Sequence, residues 1–443
     1  MIGNLIYFII TISCIHFYIK RQYTNFFIAL FLLFSKCLLI IAPGSIKLED
    51  FGLFICIVLL LHEYTHDKNL FNSKRDPIGK IIKILICYYF LCAILSSIRG
   101  KESLPYSLIL VRFDLFYLSY FIFKKIPLIN ILTALKKILY LNIFGGILYY
   151  LQFIGLTGIL LGSDSNDGIS SGITRYSNAP FLSLPLFLYL ITTQEKIKHK
   201  LLLIIFYCGL FLLPMSRGVL IATVAVCSIY FFIRKKIKIK YAIFLFFIFL
   251  LFKPIISYRF SSEGSTGTGT LQEIKNAANY FLEKDFTNYN SLAIINDEGT
   301  FAFRILLVAE RLNYLIQSPT SLILGEGTIH ESSNSVKRYN FNIGTVINDD
   351  GTLHMQQIDT NDISFISHIF RYGLIYLVLY SIFLYLSLRK LNRGNDELFI
   401  VAMLFLSIKI VQSLGSDGFS TFSGMFLILA ILAHSPKKLN NIN

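Results

Sequence analysis

Three arginines sit in settings that suit phosphate chemistry. Arg217, in Met215-Ser216-Arg217-Gly218, opens one apolar run, and Arg175, in Thr174-Arg175-Tyr176-Ser177-Asn178-Ala179-Pro180, immediately precedes another. Asn178 is the expected cap of that second helix, and Pro180 suits its first turn. Arg304 stands at the head of an amphipathic segment. A cation at the positive end of a helix dipole is unfavourable by a few tenths to about 1 kcal/mol unless an anion joins it. Three guanidinium groups at three helix starts on one membrane face therefore form a candidate cradle for a phosphate or pyrophosphate. Snorkelling to lipid headgroups is the rival explanation for any one arginine, and it weakens when all three behave alike.

A second constellation gathers Asp362, Glu326, His330 and His368. Asp362, in Thr360-Asn361-Asp362-Ile363-Ser364, stands where a polar stretch gives way to an apolar one. It could take a proton from an attacking hydroxyl, or it could simply cap the next helix. His368 reads as a packing residue in that helix start. His62-Glu63-Tyr64-Thr65-His66 matches the zinc-binding pattern of two histidines four apart with an intervening glutamate. A third ligand is wanting: the other suitable group, Asn348-Asp349-Asp350-Gly351, falls on the opposite side of the membrane in the topology below. An interfacial helix end is the expectation there, with no metal. Arg112 and Asp114 share one apolar run but point to opposite sides of a helix at i, i+2, so they cannot neutralise each other. Lys36 and Lys409 also lie in apolar runs, and Gly145-Gly146 reads as a close helix contact.

The elements that must position these residues are membrane helices. Of 443 residues, 55% are hydrophobic and only 15% charged, and the mean hydropathy is +0.63; a soluble core is excluded as the home of such a chain. Apolar runs fall at about 2–19, 26–42, 51–62, 81–98, 108–123, 138–160, 179–193, 201–214, 218–233, 241–257, 363–387, 398–413 and 420–434. The expected fold is an all-α polytopic membrane protein of about 12 to 13 transmembrane helices with one large, partly helical extracytoplasmic loop. That loop, 258–362, divides the chain into helices 1–257 and helices 363–443.

Charge sets the sidedness. The interval Tyr258 to Asp362 carries seven Lys/Arg against thirteen Asp/Glu, whereas the rest of the chain has 34 basic and 13 acidic residues. Basic clusters at 20–21, 68–83, 124–137, 196–200, 234–240, 389–393 and 437–438 alternate with poor connections, which puts them and the C-terminus in the cytoplasm and the acidic loop outside. The same alternation explains the net charge of +15 without a nucleic-acid partner. All seven cysteines lie in apolar runs, so no disulfide framework is implied. Met1 to Ile19 has neither a basic leader nor a small-residue cleavage site and reads as a first span. Within the loop, 261–270 reads as linker. Residues 301–317 repeat apolar positions at helical spacing, with Ile305, Val308, Leu312, Leu315 and Ile316 on one side and Arg304 and Arg311 on another. This predicts an amphipathic helix over the membrane face, stopped by Pro319 and followed by a Leu324-Gly325-Glu326-Gly327 turn.

The order of these pieces resembles the O-antigen polymerase and O-antigen ligase superfamily of bacterial envelope glycosyltransferases. The resemblance covers about half the chain, residues 165–385, and runs through Arg175 with Asn178-Ala179-Pro180, then Met215-Ser216-Arg217-Gly218 and a long outer loop. It continues through the Arg304 helix with Ser318-Pro319 and Gly325-Glu326-Gly327, then Asn361-Asp362 and Phe370-Arg371-Tyr372-Gly373. It implies a multi-pass protein of the bacterial inner membrane with its large loop in the periplasm, taking glycan from an undecaprenyl-pyrophosphate-linked oligosaccharide. No cofactor and no metal are implied; the bilayer, a chain-length regulator and a flippase are the implied partners. By position, Arg175 and Arg217 would hold the pyrophosphate, with Arg304 a weaker third on the substrate, and Asp362 would stand as the base; Glu326 and His330, from the constellation around Asp362, are the further expected substrate-binding residues. The ligase branch has a histidine followed by asparagine where this chain has Asn361-Asp362, which favours polymerase over ligase. A flippase or other transporter is the rival class, against which stand the large loop and the absence of a visible internal repeat.

Overall fold

The computed structural model describes residues 2–34, 48–72, 75–153, 165–166, 175–176, 182–212, 217–234, 300–329, 339, 346–347, 353–354, 363–414, 419 and 422–436. In the N-terminal part these residues form α1 (Ile2–Ile19), α2 (Tyr23–Phe34), α3 (Leu48–His66), α4 (Pro77–Ile98) and α5 (Leu104–Val111). A 3-10 segment (Arg112–Leu118) then leads to α6 (Ser119–Phe123) and α7 (Leu128–Phe153). A short antiparallel pair, β1 (Ser165–Asn166) with β2 (Arg175–Tyr176), precedes α8 (Ser183–Thr192), α9 (Lys200–Leu212) and α10 (Arg217–Arg234). The loop contributes α11 (Thr300–Ile316), α12 (Pro319–Leu324) and a second strand pair, β3 (Val346–Ile347) with β4 (Leu353–His354). The chain then forms α13 (Ser364–Asn392), α14 (Glu397–Gln412) and α15 (Phe422–Leu432). The expected span at 241–257 and Lys36 lie outside the described residues.

Among the described residues, α4, α7 and α13 are long and apolar enough to cross a membrane. The 22 residues of α4 extend about 33 Å at the helical rise, which matches a hydrocarbon core of about 30 Å. Its start is well specified: the Asp76 side chain accepts from the Gly79 N–H at 3.0 Å and Pro77 occupies the first turn. Shorter apolar helices, α1, α2, α8, α9 and α10 among them, complete the bundle. Large apolar side chains face outward all around it, including Leu5 and Ile9 on α1, Leu61 on α3 and Phe144 on α7. Such a surface is costly in water and natural against lipid.

Two spans are interrupted. The fifth expected span is bent by 47° between α5 and the segment from Asp114 onward. In the intervening 3-10 turn, side chains three apart share a face, so Asp114 and Tyr117 both turn toward α13. Helix α13 is broken at Gly373, whose φ of 72° and ψ of −168° are not helical. The loop causes this break. A Cβ on Gly373 would collide with the backbone of Ile323 and Gly325, and one on Gly325 (φ 81°) would collide with Arg371 and Tyr372. Two glycines thus let the turn after α12 press directly on the α13 backbone. Carbonyls released by the kink find new donors: the Glu326 N–H binds Phe370 O at 2.8 Å, and the Tyr88 hydroxyl donates to Tyr372 O at 2.6 Å.

The loop helix matches its expected length but not its expected face. Leu306, Leu307, Glu310, Arg311 and Leu315 are buried, whereas Leu312 and Ile316 are exposed. The physical reason is that an apolar residue here can face lipid as well as protein. Hydrophobic periodicity therefore marks the helix without saying which side the protein covers.

Candidate functional site

The polar side chains at the loop-facing end of the bundle form two connected groups. The first holds the loop segment after α12. Ser318 caps α12 with Pro319 in its first turn, so the helix begins where the sequence places its breaker. Just past the end of α4, Arg99 donates to Gly325 O at 2.7 Å and to the Ser321 hydroxyl at 2.9 Å. Lys101 binds Glu326 Oε2 at 2.7 Å, and Ser107 donates to Thr328 O at 3.3 Å. Burial would raise the Glu326 carboxyl, but the Lys101 ammonium, Ser321 and Arg99 outweigh it and hold the group below its ordinary value. Glu326 is thus a buried, paired carboxylate whose backbone is stitched to α13.

The second group lies within the bundle, one helical turn away along α13. Asp114 accepts from the Tyr372 hydroxyl at 2.7 Å and lies 3.8 Å from His368 Nε2. The other imidazole nitrogen, Nδ1, donates to Ser364 O at 2.6 Å. His368, Tyr376 and Tyr380 then stack in a buried file, with Tyr376 and Tyr380 ring centres 5.2 Å apart and the Tyr380 hydroxyl 3.0 Å from that of Tyr117. Both His368 and Asp114 are almost fully enclosed. They pin the first turn of α13, just after Asp362, to the broken fifth span. Arg112, two residues from Asp114, turns away and pairs with Asp50 of α3 at 3.1 Å, as the i, i+2 spacing requires. Sequence reading passed over this pairing because 254 positions separate Asp114 from His368. The usable signal was a carboxylate and a histidine each set within an apolar run.

Helix α11 is attached by a small core of Leu315, Ile329, Tyr339, Ile369 and Phe370. Arg311 is buried there, 2.5 Å from Glu310 and with its guanidinium 4.5 Å from the centre of the Tyr339 ring and 5.2 Å from that of Phe370. A desolvated cation between two aromatic faces gains from both the ring quadrupoles and the adjacent carboxylate.

The remaining expected residues distribute as follows. Arg304 is the fifth residue of α11 and half-buried, a turn inside the helix start. Arg217 is the first residue of α10, at the expected position. Arg175 lies in β2, paired with Asn166 and eight residues ahead of α8, so it does not open that helix. The expected cap Asn178, together with Pro180, His330 and Asp362, lies outside the described residues. In α3 the His62 and His66 ring centres lie 4.5 Å apart with the planes tilted by 35°, and His66 Nδ1 donates to His62 O at 2.7 Å. Among the described residues no group of three His, Cys, Asp or Glu side chains is placed to hold a metal, and 348–351 lies outside them.

Chemically, this end of the bundle can hold a folded loop segment rigidly over two interrupted spans, with Lys101, Arg112 and Arg311 each matched to a carboxylate. No protein-family model matches the chain, and no curated protein matches it.

Proposed function

We propose that this chain is a membrane glycosyltransferase of the O-antigen polymerase type. In this reading it has twelve or thirteen spans in the bacterial inner membrane, with the acidic loop in the periplasm and the C-terminus in the cytoplasm. An acceptor sugar hydroxyl on one lipid-linked repeat unit attacks the anomeric carbon of another. The new glycosidic bond forms as the bond to undecaprenyl pyrophosphate breaks, the pyrophosphate leaves with the electron pair, and the hydroxyl proton passes to Asp362. Arg175 and Arg217, with Arg304 beside them, stabilise the charge gathering on the leaving oxygen, a role often worth several kcal/mol. Glu326 and His330 belong to the wall of the same site.

The observation that carries the reading is the bond from the Glu326 N–H to Phe370 O at 2.8 Å. It draws the loop segment that follows the Arg304 helix onto the helix that begins two residues after Asp362. Residues distant in sequence thereby share one face, as a site built jointly by loop and bundle requires. The test is polysaccharide length in cells carrying Arg217→Ala or Arg175→Ala. Loss of long chains with normal membrane insertion is expected; wild-type chain length from either variant would reject the assignment. Deletion separates the ligase alternative, because loss of a polymerase leaves single repeat units attached and loss of a ligase leaves none.

One observation favours a second reading. Interrupted helices such as α13 and the fifth span are common in transporters, where they expose backbone groups to a substrate. Reconstitution with a purified lipid-linked repeat unit decides between them. Lengthening of the glycan supports the polymerase, and translocation without lengthening supports a flippase.

A further inference from the structure

At the opposite end of α4 and α13 a cleft of about 460 Å3 opens between the start of α4, the end of α6, the end of α13 and the residues after α15. Its charged lining is Arg75, Asp76, Lys124, Arg389, Lys390 and Arg393, five cations against one carboxylate. That carboxylate is fully engaged. Asp76 caps α4 through the Gly79 N–H, accepts from the Tyr120 hydroxyl at 3.0 Å and pairs with Lys124. These partners outweigh its burial and hold it below its ordinary value. Lys390 is also engaged, donating to Leu432 O at 2.6 Å.

Arg75, Arg389 and Arg393 remain, all exposed and none with an acidic partner among the described residues. Three guanidinium groups facing one cleft repel one another unless an anion sits among them, and planar guanidinium suits phosphate oxygens best. A second feature says which kind of phosphate. Val378, Ile382 and Tyr385 are exposed along one face of α13 and continue in register to Arg389. From Val378 to Arg389 that strip runs about 16 Å, close to the hydrocarbon depth of one leaflet. It offers a bed for an acyl chain that ends at the arginines.

The geometry points to this cleft as a binding site for the headgroup of an anionic phospholipid, with its phosphodiester held by Arg75, Arg389 and Arg393 and one acyl chain along Val378, Ile382 and Tyr385. Basic pockets between helices at the cytoplasmic surface, where the positive-inside pattern puts this end, favour such lipids. A soluble phosphate would fill the same cations but would have no use for the apolar strip.

The experiment is native mass spectrometry of the full-length protein in detergent, titrated with phosphatidylglycerol or with phosphatidylcholine, each with and without inorganic phosphate. Phosphatidylglycerol should be retained in preference to phosphatidylcholine, and phosphate should not displace it. Each arginine changed to glutamine should weaken retention about fivefold, so Arg389→Gln with Arg393→Gln should lose roughly 25-fold. Lys80→Gln, exposed on α4 but outside the cleft, should leave retention unchanged. If the double variant is not recovered folded, Arg389→Gln alone carries the test at fivefold. Equal retention of the two lipids, or retention unaffected by the arginine changes, would overturn the site. Displacement of phosphatidylglycerol by inorganic phosphate would overturn the lipid assignment in favour of a soluble anion.

Discussion

The loop-facing end of α4 and α13 and their opposite end are both rich in charge, yet they spend it differently. At the first, Arg99 meets Gly325 and Ser321, Lys101 meets Glu326, Arg112 meets Asp50, and Arg311 meets Glu310. At the second, Asp76 satisfies Lys124 alone, and Arg75, Arg389 and Arg393 face the cleft without an acid among the described residues. Paired charges fix a segment in place, because removing either partner strands the other in a poor dielectric. Charges of one sign with no partner build little structure and create a demand for a ligand.

The contrast can be broken most forcefully at the glycine contact. Gly373→Ala puts a side chain on a left-handed backbone position already occupied by Ile323 and Gly325. A loss of about 3 kcal/mol or more is expected, seen as a lower thermal unfolding midpoint in detergent and as release of residues 318–329 to protease. Next comes Asp114→Ala, which strands the Tyr372 hydroxyl and the His368 imidazole. It should cost about 2 to 3 kcal/mol, and Asp114→Asn should recover part of it by keeping an acceptor for Tyr372. Glu326→Gln keeps the shape but removes the ion pair with Lys101, for about 1 to 2 kcal/mol in the same assay.

Acid titration should sharpen the comparison further. Glu326 has a carboxyl pKa lowered by folding from its ordinary 4.5. Its contribution is therefore complete above that value and fades as pH falls through the lowered one. Hydrogen-exchange protection of residues 321–329, corrected for intrinsic rates, should hold at neutral pH and decline only as pH falls below the ordinary carboxylate value. The smallest effect belongs to the other end: Arg389→Gln should change stability by less than about 0.5 kcal/mol, because among the described residues its charge has no acidic partner. A large loss there would erase the distinction between the two ends.

How far sequence reading reached varies along the chain. Expected spans at 2–19 and 398–413 appear as Ile2–Ile19 and Glu397–Gln412, and the expected loop helix 301–317 appears as Thr300–Ile316. These are set by local windows of apolar residues and by breakers such as Pro319, which act on their neighbours. The expected span 108–123 is divided instead, because Arg112 and Asp114 reach partners on different sides and the backbone tightens to let them. The expected association of Arg175 with a helix start gave way to a strand position, where it pairs with Asn166. Of the candidate site, the turn at Gly325 and the helix start at Arg217 were legible; the Asp114 and His368 pairing was not.

By itself, the sequence determined an apolar, mainly helical chain with charge sorted into alternating clusters and one acidic interval, because hydropathy and charge are carried by each short stretch independently. Only the tertiary structure decided which side of α11 is covered, where α13 bends, and which cations find acids and which do not. Those outcomes depend on the chance meeting of Gly373 with Gly325, of Asp114 with His368 and of Lys101 with Glu326, segments that no local pattern relates and that come together only when the bundle closes.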